Sequence, residues 1–392
     1  MSTSGHHTAA PSDTMIDAPT GPARTRFEEF WTLFRKNTMA VSGLGIFVLF
    51  FLIAVAGLLM TSGNRPLMDP ARVRLQEKLR PPMARPNLET LTPDETPALG
   101  VYVFGTDNLG RDVFARMLQG AWVSLTVGFV AVGISVIIGI FLGGIAGYFG
   151  QMAIRLDHVL PIILLPSGVL AWISGAKGAG AVFIGLGVVV ALSGMGAQRV
   201  WRDRPLPVMF AFLRAPILTV DTLIMRLVDI MLCFPSFFLI LTVAALLPAS
   251  LYNTMIVIGL TSWMGTTRFV RAEFLSLREQ DFVLAARALG IQTSRIIFRH
   301  MMPNAIAPVL VSATIGIATA ILTEAGLSFL GFGVPPPHAT WGNILSGGQD
   351  FIFDAPWLTF VPGIAILIVV LSFNLFGEGL RDALNPKLRE RH

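Results

Sequence analysis

Between Met117 and Ile154 the chain reads MLQGAWVSLTVGFVAVGISVIIGIFLGGIAGYFGQMAI, thirty-eight residues without one charged side chain. A bilayer core about 30 Å thick is crossed by roughly 20 helical residues rising about 1.5 Å each. The tract is too long for a single crossing and reads as a surface helix that runs into a membrane helix from Ser124 to Tyr148. The whole chain of 392 residues is 53% apolar and only 14% charged, against about 25% charged in a soluble domain. That excludes an ordinary water-soluble enzyme. Cys233 is the single cysteine, which excludes an intrachain disulfide and a thiolate metal cluster.

Further apolar windows give an all-α fold, a polytopic bundle of about eight transmembrane helices. The first is expected over 37–64. Val159 to Ala176 and Gly178 to Gln198 form two shorter candidates separated by Lys177. Ile230 to Thr267 is long enough for two spans with Leu247-Pro248-Ala249-Ser250 as the turn. Met301 to Thr323 and Ala355 to Gly377 complete the set. Residues 1–36, rich in Ser, Thr, Pro and Ala, read as a disordered cytoplasmic tail. They are not a signal peptide, because Arg35 and Lys36 follow a long polar stretch and the apolar run behind them is too long. Residues 65–120 read as an external loop with an interfacial helix, and 121–392 as the main membrane domain, with inserted helices within about 151–216 and a cytoplasmic loop at 268–303.

Charge fixes the orientation. With the N-terminus inside, twenty of the 29 Lys and Arg residues fall on the cytoplasmic side. The other side holds only Lys177 in its short loops, plus the basic residues of the long segment between Thr61 and Gly120. This is the positive-inside pattern, N-in and C-in. The net charge of +5 thus marks topology rather than a nucleic-acid partner.

Several segments carry local signals. In Gly105-Thr106-Asp107-Asn108-Leu109-Gly110-Arg111-Asp112, either Asp107 or Asn108 can cap a helix whose Leu109, Val113, Phe114, Met117 and Leu118 recur at helical spacing. That helix is expected at the outer membrane surface, as a plain connector or as a docking element. Gly139, Gly143 and Gly147 at steps of four let another helix approach closely in lipid, in this chain or another. In the loop 268–303, Glu279, Gln280 and Asp281 place negative charge at a helix start, Phe282, Ala285, Ala286 and Leu289 line one face, and Gly290 ends the helix. Thr293 or Ser294 then caps a second helix through Ile296 and Ile297 that stops before Pro303. Such a knob with an apolar face implies a partner with a groove. Glu324 follows an uncharged run and is a candidate pathway or gating carboxylate; the plainer reading is that the span simply reaches the outer surface there. Asp229 reads as a surface ion pair with Arg226. The six histidines show no HExxH spacing, and neither a nucleophile elbow nor a phosphate-cradling loop occurs. No catalytic, cofactor-binding or metal site is expected. Energy for uphill transport has to come from a partner or an ion gradient.

The run Phe104 to Arg116, the loop Ala285-Ala286-Arg287-Ala288-Leu289-Gly290 with Arg299-His300-Met301-Met302-Pro303-Asn304, and Thr323-Glu324-Ala325-Gly326-Leu327-Ser328-Phe329-Leu330-Gly331-Phe332-Gly333 with Trp341-Gly342 together resemble the C-type permease subunit of bacterial dipeptide, oligopeptide and nickel ABC importers. The resemblance covers about Arg35 to Arg389. It implies the type I importer permease fold in the bacterial inner membrane. It also implies that the cytoplasmic loop is the EAA loop, with Glu279, Gln280, Asp281, Phe282, Ala285, Ala286, Arg287, Leu289 and Gly290 coupling to an ATP-binding subunit. The implied partners are a B-type permease, two ATPase subunits that bind ATP and Mg, an extracytoplasmic substrate-binding protein and the lipid bilayer, without nucleic acid. The chain would carry peptides or similar solutes by alternating access and hold no ATPase site itself. Two features depart from the pattern. Leu284 stands where the wider family's name-giving Glu belongs, and roughly seventy residues separate Gly147-Tyr148-Phe149-Gly150 from the Asp221 to Asp229 run. The insertion raises six family helices to eight. A self-contained secondary transporter or channel is the alternative, but only Glu324 and Asp229 qualify as ionisable groups in its spans, and no inverted repeat is evident.

Overall fold

The computed structural model describes residues 26–63, 66–89, 91–92, 95–200 and 216–384 and is predominantly helical. The tail before residue 26, Arg202, Arg204 and Arg214, and the basic C-terminus from 385 onward lie outside the described residues. The tail expected to be disordered to residue 36 ends instead in a helix, α1 (Arg26–Lys36). Its Phe30, Leu33 and Phe34 share one face and bury against Ala40, Phe376 and Ala383. Apolar spacing of this kind forms a helix once a neighbour covers it.

Among the described residues, four helices are long and apolar enough to cross a membrane: α2 (Thr38–Thr61), α3 (Val113–Phe149), α11 (Thr293–Phe329) and α13 (Trp357–Leu384). Asn37 starts α2, its Oδ1 accepting from the N–H of Met39 and of Ala40 at 3.1 Å each. The tract Ile230 to Thr267 does not form two straight spans. It breaks into α6 (Val220–Leu232), α7 (Ser236–Leu246), α8 (Leu251–Leu260) and α9 (Trp263–Arg278). Pro235 precedes α7 and disfavours helical backbone at Phe234, so α6 and α7 bend by 81° and count at most as a fifth span. Length and apolarity therefore give four or five crossings among the described residues, and α4, α5 and α8 contribute further, shorter apolar stretches.

The surface helix expected before Ser124 is absent as a separate element. α3 runs unbroken for thirty-seven residues, about 55 Å at the helical rise. Its cap is Asp112, whose Oδ1 accepts from Phe114 N–H at 2.9 Å, and not Asp107 or Asn108. Val113, Met117 and Leu118 are buried inside the protein instead of facing an interface. Asp107 is occupied elsewhere. Its Oδ1 accepts from the N–H groups of Leu109 and Arg111 at 2.9 Å each, and its Oδ2 meets Arg111 Nε at 2.7 Å and Arg116 Nη1 at 2.5 Å. The chain turns there through Gly110, at φ +72°.

The rest of the segment between α2 and α3 is irregular and folded around polar groups. The buried Glu77 takes Arg80 Nε at 3.1 Å and Asn87 N–H at 3.2 Å. Tyr102 is fully buried, and burial pushes its hydroxyl up to about 12. Burial also raises the Asp112 carboxyl above its ordinary value.

The glycine stripe of α3 finds its neighbour within this chain. A Cβ on Gly139, Gly143 or Gly147 would come within 2.6, 2.6 or 2.5 Å of Thr266, Thr267 and Phe274 respectively, all on α9. The insertion is built differently. Strand β1 (Ala153–Arg155) pairs antiparallel with β2 (Pro216–Thr219), Arg155 opposite Pro216. From this closed base rise α4 (Leu156–Ile173) and α5 (Lys177–Val200), which pack mainly on each other, with β1 as a further neighbour of α4 among the described residues. Ile162, Ile163, Leu170, Ile173, Val182, Val189 and Leu192 are all exposed on the outside of the hairpin.

Candidate functional site

The loop between α9 and α11 is an ordered helix held on two sides. Gln280 is extended and starts α10 (Asp281–Ala288), with Asp281 in the first turn where a carboxylate suits the helix N-terminus. At the other end Ile291 N–H reaches Ala286 O at 3.1 Å and Gly290 N–H reaches Arg287 O at 2.9 Å, with Gly290 at φ +70°. This pair of bonds is a Schellman stop, which a residue with a Cβ adopts only under strain. Val283 and Ala286 point inward, into a cluster with Val270, Phe274, Leu277, Ile296, Met301 and Ala305. The face expected from sequence is thus divided. Ala286 is buried, while Phe282, Ala285 and Leu289 are exposed, Leu289 at 79%.

Arg287 lies over the Tyr148 ring at 5.0 Å, tying α10 to the end of α3. Beside it a cleft of about 450 Å³ opens between Tyr148, Arg278, Glu279 and Arg287. Glu279 caps α9 and pairs with Arg278 Nε at 3.0 Å. The second helix does not stop before Pro303. A π turn over Ile296–Met301 widens the backbone immediately ahead of it, and Pro303 then sits in the first turn of the regular helix from Met302. There its missing N–H and its ring are tolerated.

Two ion pairs on the same side link α6 to α9. Asp221 is held by a two-pronged contact from Arg271, with Nη2 to Oδ2 at 2.6 Å. Asp229 accepts from Arg268 Nη2 at 2.6 Å and stands 3.8 Å from Arg226 Nη1. The Arg226 pairing follows from its i,i+3 spacing. The two contacts to α9 join residues some forty to fifty positions apart, and no local pattern signals them.

Glu324 is wholly buried on α11. Its Oε1 accepts from Ser328 Oγ at 2.7 Å and its Oε2 from Ser124 Oγ at 3.3 Å, with the Thr340 hydroxyl as a further partner. Ser124 Oγ in turn accepts from Trp341 N–H at 3.3 Å, and Trp341 Nε1 donates to Met117 O at 3.2 Å. Glu324 therefore pins α3, α11 and the short α12 (Trp341–Gly348) together. Its neighbour Thr323 lies instead on a groove of about 250 Å³ between α3, the α8–α9 region and α11, where Ser135, Ser262, Thr266, Ser312 and Thr319 alternate with apolar residues such as Val132, Ile258 and Ile315. Sequence reading did not single out those hydroxyls.

Residues 205–390 match the family model for the binding-protein-dependent transport system inner membrane component. Residues 25–82 match that for the N-terminal transmembrane domain of oligopeptide transport permease C. A dipeptide transport system permease protein of Alkalihalophilus pseudofirmus is 35% identical, over 94% of this chain and 91% of the relative. The chain belongs to this permease family. Other relatives are an oligopeptide transport system permease protein of Bacillus subtilis, 32% identical over 91% of this chain and 88% of the relative, and a di/tripeptide transport system permease protein of Pseudomonas aeruginosa, 32% identical over 98% of both. The permease is a multi-pass inner-membrane transport subunit of an ABC importer and not an enzyme. Family membership implies that it works with a paired permease, ATP-binding subunits and a substrate-binding protein.

Proposed function

We propose that the permease is the C-type subunit of an importer for di- and oligopeptides or similar small solutes. It pairs with a B-type permease, two ATP-binding subunits that hold ATP and Mg, and an extracytoplasmic binding protein that delivers the solute. The chain itself holds no cofactor. Helix α10 transmits the stroke. The observation that carries this reading is the division of its surface: Val283 and Ala286 root it in the membrane domain, while Phe282, Ala285 and Leu289 are left as an apolar ridge. A rigid helix with an unpartnered ridge is what docking into a groove requires, and the Schellman stop at Gly290 sets its exit angle. The groove beside Thr323, in which hydroxyls and apolar side chains are mixed, is the candidate for one wall of the solute path, completed by the paired permease. Relatives named for dipeptide, oligopeptide and di/tripeptide transport support the substrate class.

The finer topology is N-in and C-in with eight passes, α4 and α5 adding two to the family's six. An even insertion returns the chain to the side it left, and the pairing of β1 with β2 suits a hairpin that leaves and re-enters at one point.

The test is assembly with the partner subunits in vesicles, with peptide-loaded binding protein outside and ATP hydrolysis and uptake measured together. Gly290→Pro, which removes the bond to Arg287 O and cannot adopt a positive φ, should leave the permease in the membrane and uncouple the two rates. Leu289→Asp, at an exposed position, should do so without touching the fold. Wild-type uptake in both variants would remove α10 from the coupling role.

A further inference from the structure

On the external side a cavity of about 460 Å³ lies between the irregular segment and the first turn of α3, with Leu67, Asp69, Arg72, Arg74, Asp112 and Ala115 in its wall. Its depth is set by a backbone bond: Met68 N–H donates to Met60 O at 3.0 Å, which folds the wall back onto the last turn of α2. That helix of twenty-four residues measures about 36 Å, slightly more than a hydrocarbon core of about 30 Å. The cavity therefore stands at the level of the lipid headgroups.

The polar groups in the wall are of both signs. Asp69 receives Ala71 N–H at 2.9 Å and stands 3.8 Å from Arg72 Nε. Asp112 caps α3. Arg74 is 94% buried by its 6% exposure. Its Nε donates to Glu95 O at 2.5 Å, but its Nη1 is buried without any acceptor. A buried guanidinium nitrogen with no acceptor is costly, and an anionic group brought to it forms a strong, charge-assisted bond. We propose that this cavity binds the zwitterionic headgroup of a phospholipid from the leaflet facing the segment 66–112. The phosphate goes to Arg74 and Arg72 and the ammonium group to Asp69 and Asp112. Leu67, 67% exposed at the rim, meets the start of the acyl chains, and Arg74 turns its Nη1 to the phosphate on binding. The location favours a lipid over a soluble zwitterion such as a short peptide, because the site opens where headgroups are already concentrated.

The experiment is native mass spectrometry of the assembled importer, released from nanodiscs in which phosphatidylethanolamine is titrated against phosphatidylglycerol. The wild type should retain one phosphatidylethanolamine per permease in preference to the anionic lipid. Arg74→Gln should weaken that retention about tenfold or more. Arg72→Gln, at a partly exposed position, should weaken it less. Unchanged melting of both variants in lipid-free micelles separates loss of the site from loss of the fold. Equal retention in all three proteins overturns the proposal. So does displacement of the bound mass by a dipeptide, which would give the cavity to a soluble zwitterion.

Discussion

Two glycine-rich regions of this permease look alike as sequence and behave differently as structure. On α3, Gly139, Gly143 and Gly147 bring α9 into van der Waals contact along the centre of the molecule. In the inserted hairpin, Gly168 and Gly180 do the same for α4 and α5, with a Cβ at Gly180 falling 2.8 Å from Gly168 O and Trp172 N. The first contact joins two elements of the main bundle; the second joins the insertion only to itself. Small residues tell that helices pack closely in lipid. They do not tell whether the pair belongs to the working core.

That contrast can be attacked directly. Gly143→Leu should have the largest effect, because its side chain would enter the space of Thr267 O and Val270. Overpacking in a rigid helix interface costs roughly 1–3 kcal/mol or more, and here it also shifts the base of α10. The expected result is loss of folded permease in membranes, read by protease resistance, together with loss of peptide uptake. Gly180→Leu creates an equally close contact but should act only on the hairpin. Cysteine cross-linking between α4 and α5 should fall while uptake persists, and loss of uptake would make the hairpin part of the core. Excision of residues 156–215, with Arg155 joined to Pro216 through Asn-Gly, should change uptake least, because paired strands at the base can be closed by a two-residue turn. Labelling of a cysteine introduced at Lys177 from the external side tests the passage of the hairpin through the bilayer. Labelling only from the cytoplasm would reduce the count of passes by two.

Much of the bundle is legible in the sequence because a membrane core demands long uncharged tracts. α2, α3, α11 and α13 lie where apolar windows place them, and Gly290 ends α10 as its residue type requires. The misses share a cause. The bend at Pro235 divides a long apolar tract into short helices, a break that apolarity alone does not signal. The π turn before Pro303 lets a helix run through a residue that normally stops one. Asp107 looks like a cap by position, yet Arg111 and Arg116 draw it into an ion-pair hub that leaves the cap to Asp112. At α10, Ala286 leaves the face it shares by spacing with Phe282, Ala285 and Leu289 and turns with Val283 to the core, because the helix is rotated to meet α9 and α11.

The sequence by itself determined that this is a helical inner-membrane permease, where its long spans lie and which loop carries the short helix α10 that Gly290 ends. Those properties follow from local composition, since lipid excludes charge and a glycine at positive φ stops a helix whatever surrounds it. Only the tertiary structure decided which helix fills the glycine stripe, which side of α10 is left open, that Glu324 is held by three hydroxyls away from the groove, and that Arg74 lacks an acceptor at Nη1. Each of these depends on residues far apart in the chain meeting across an interface, and no local pattern encodes such a meeting.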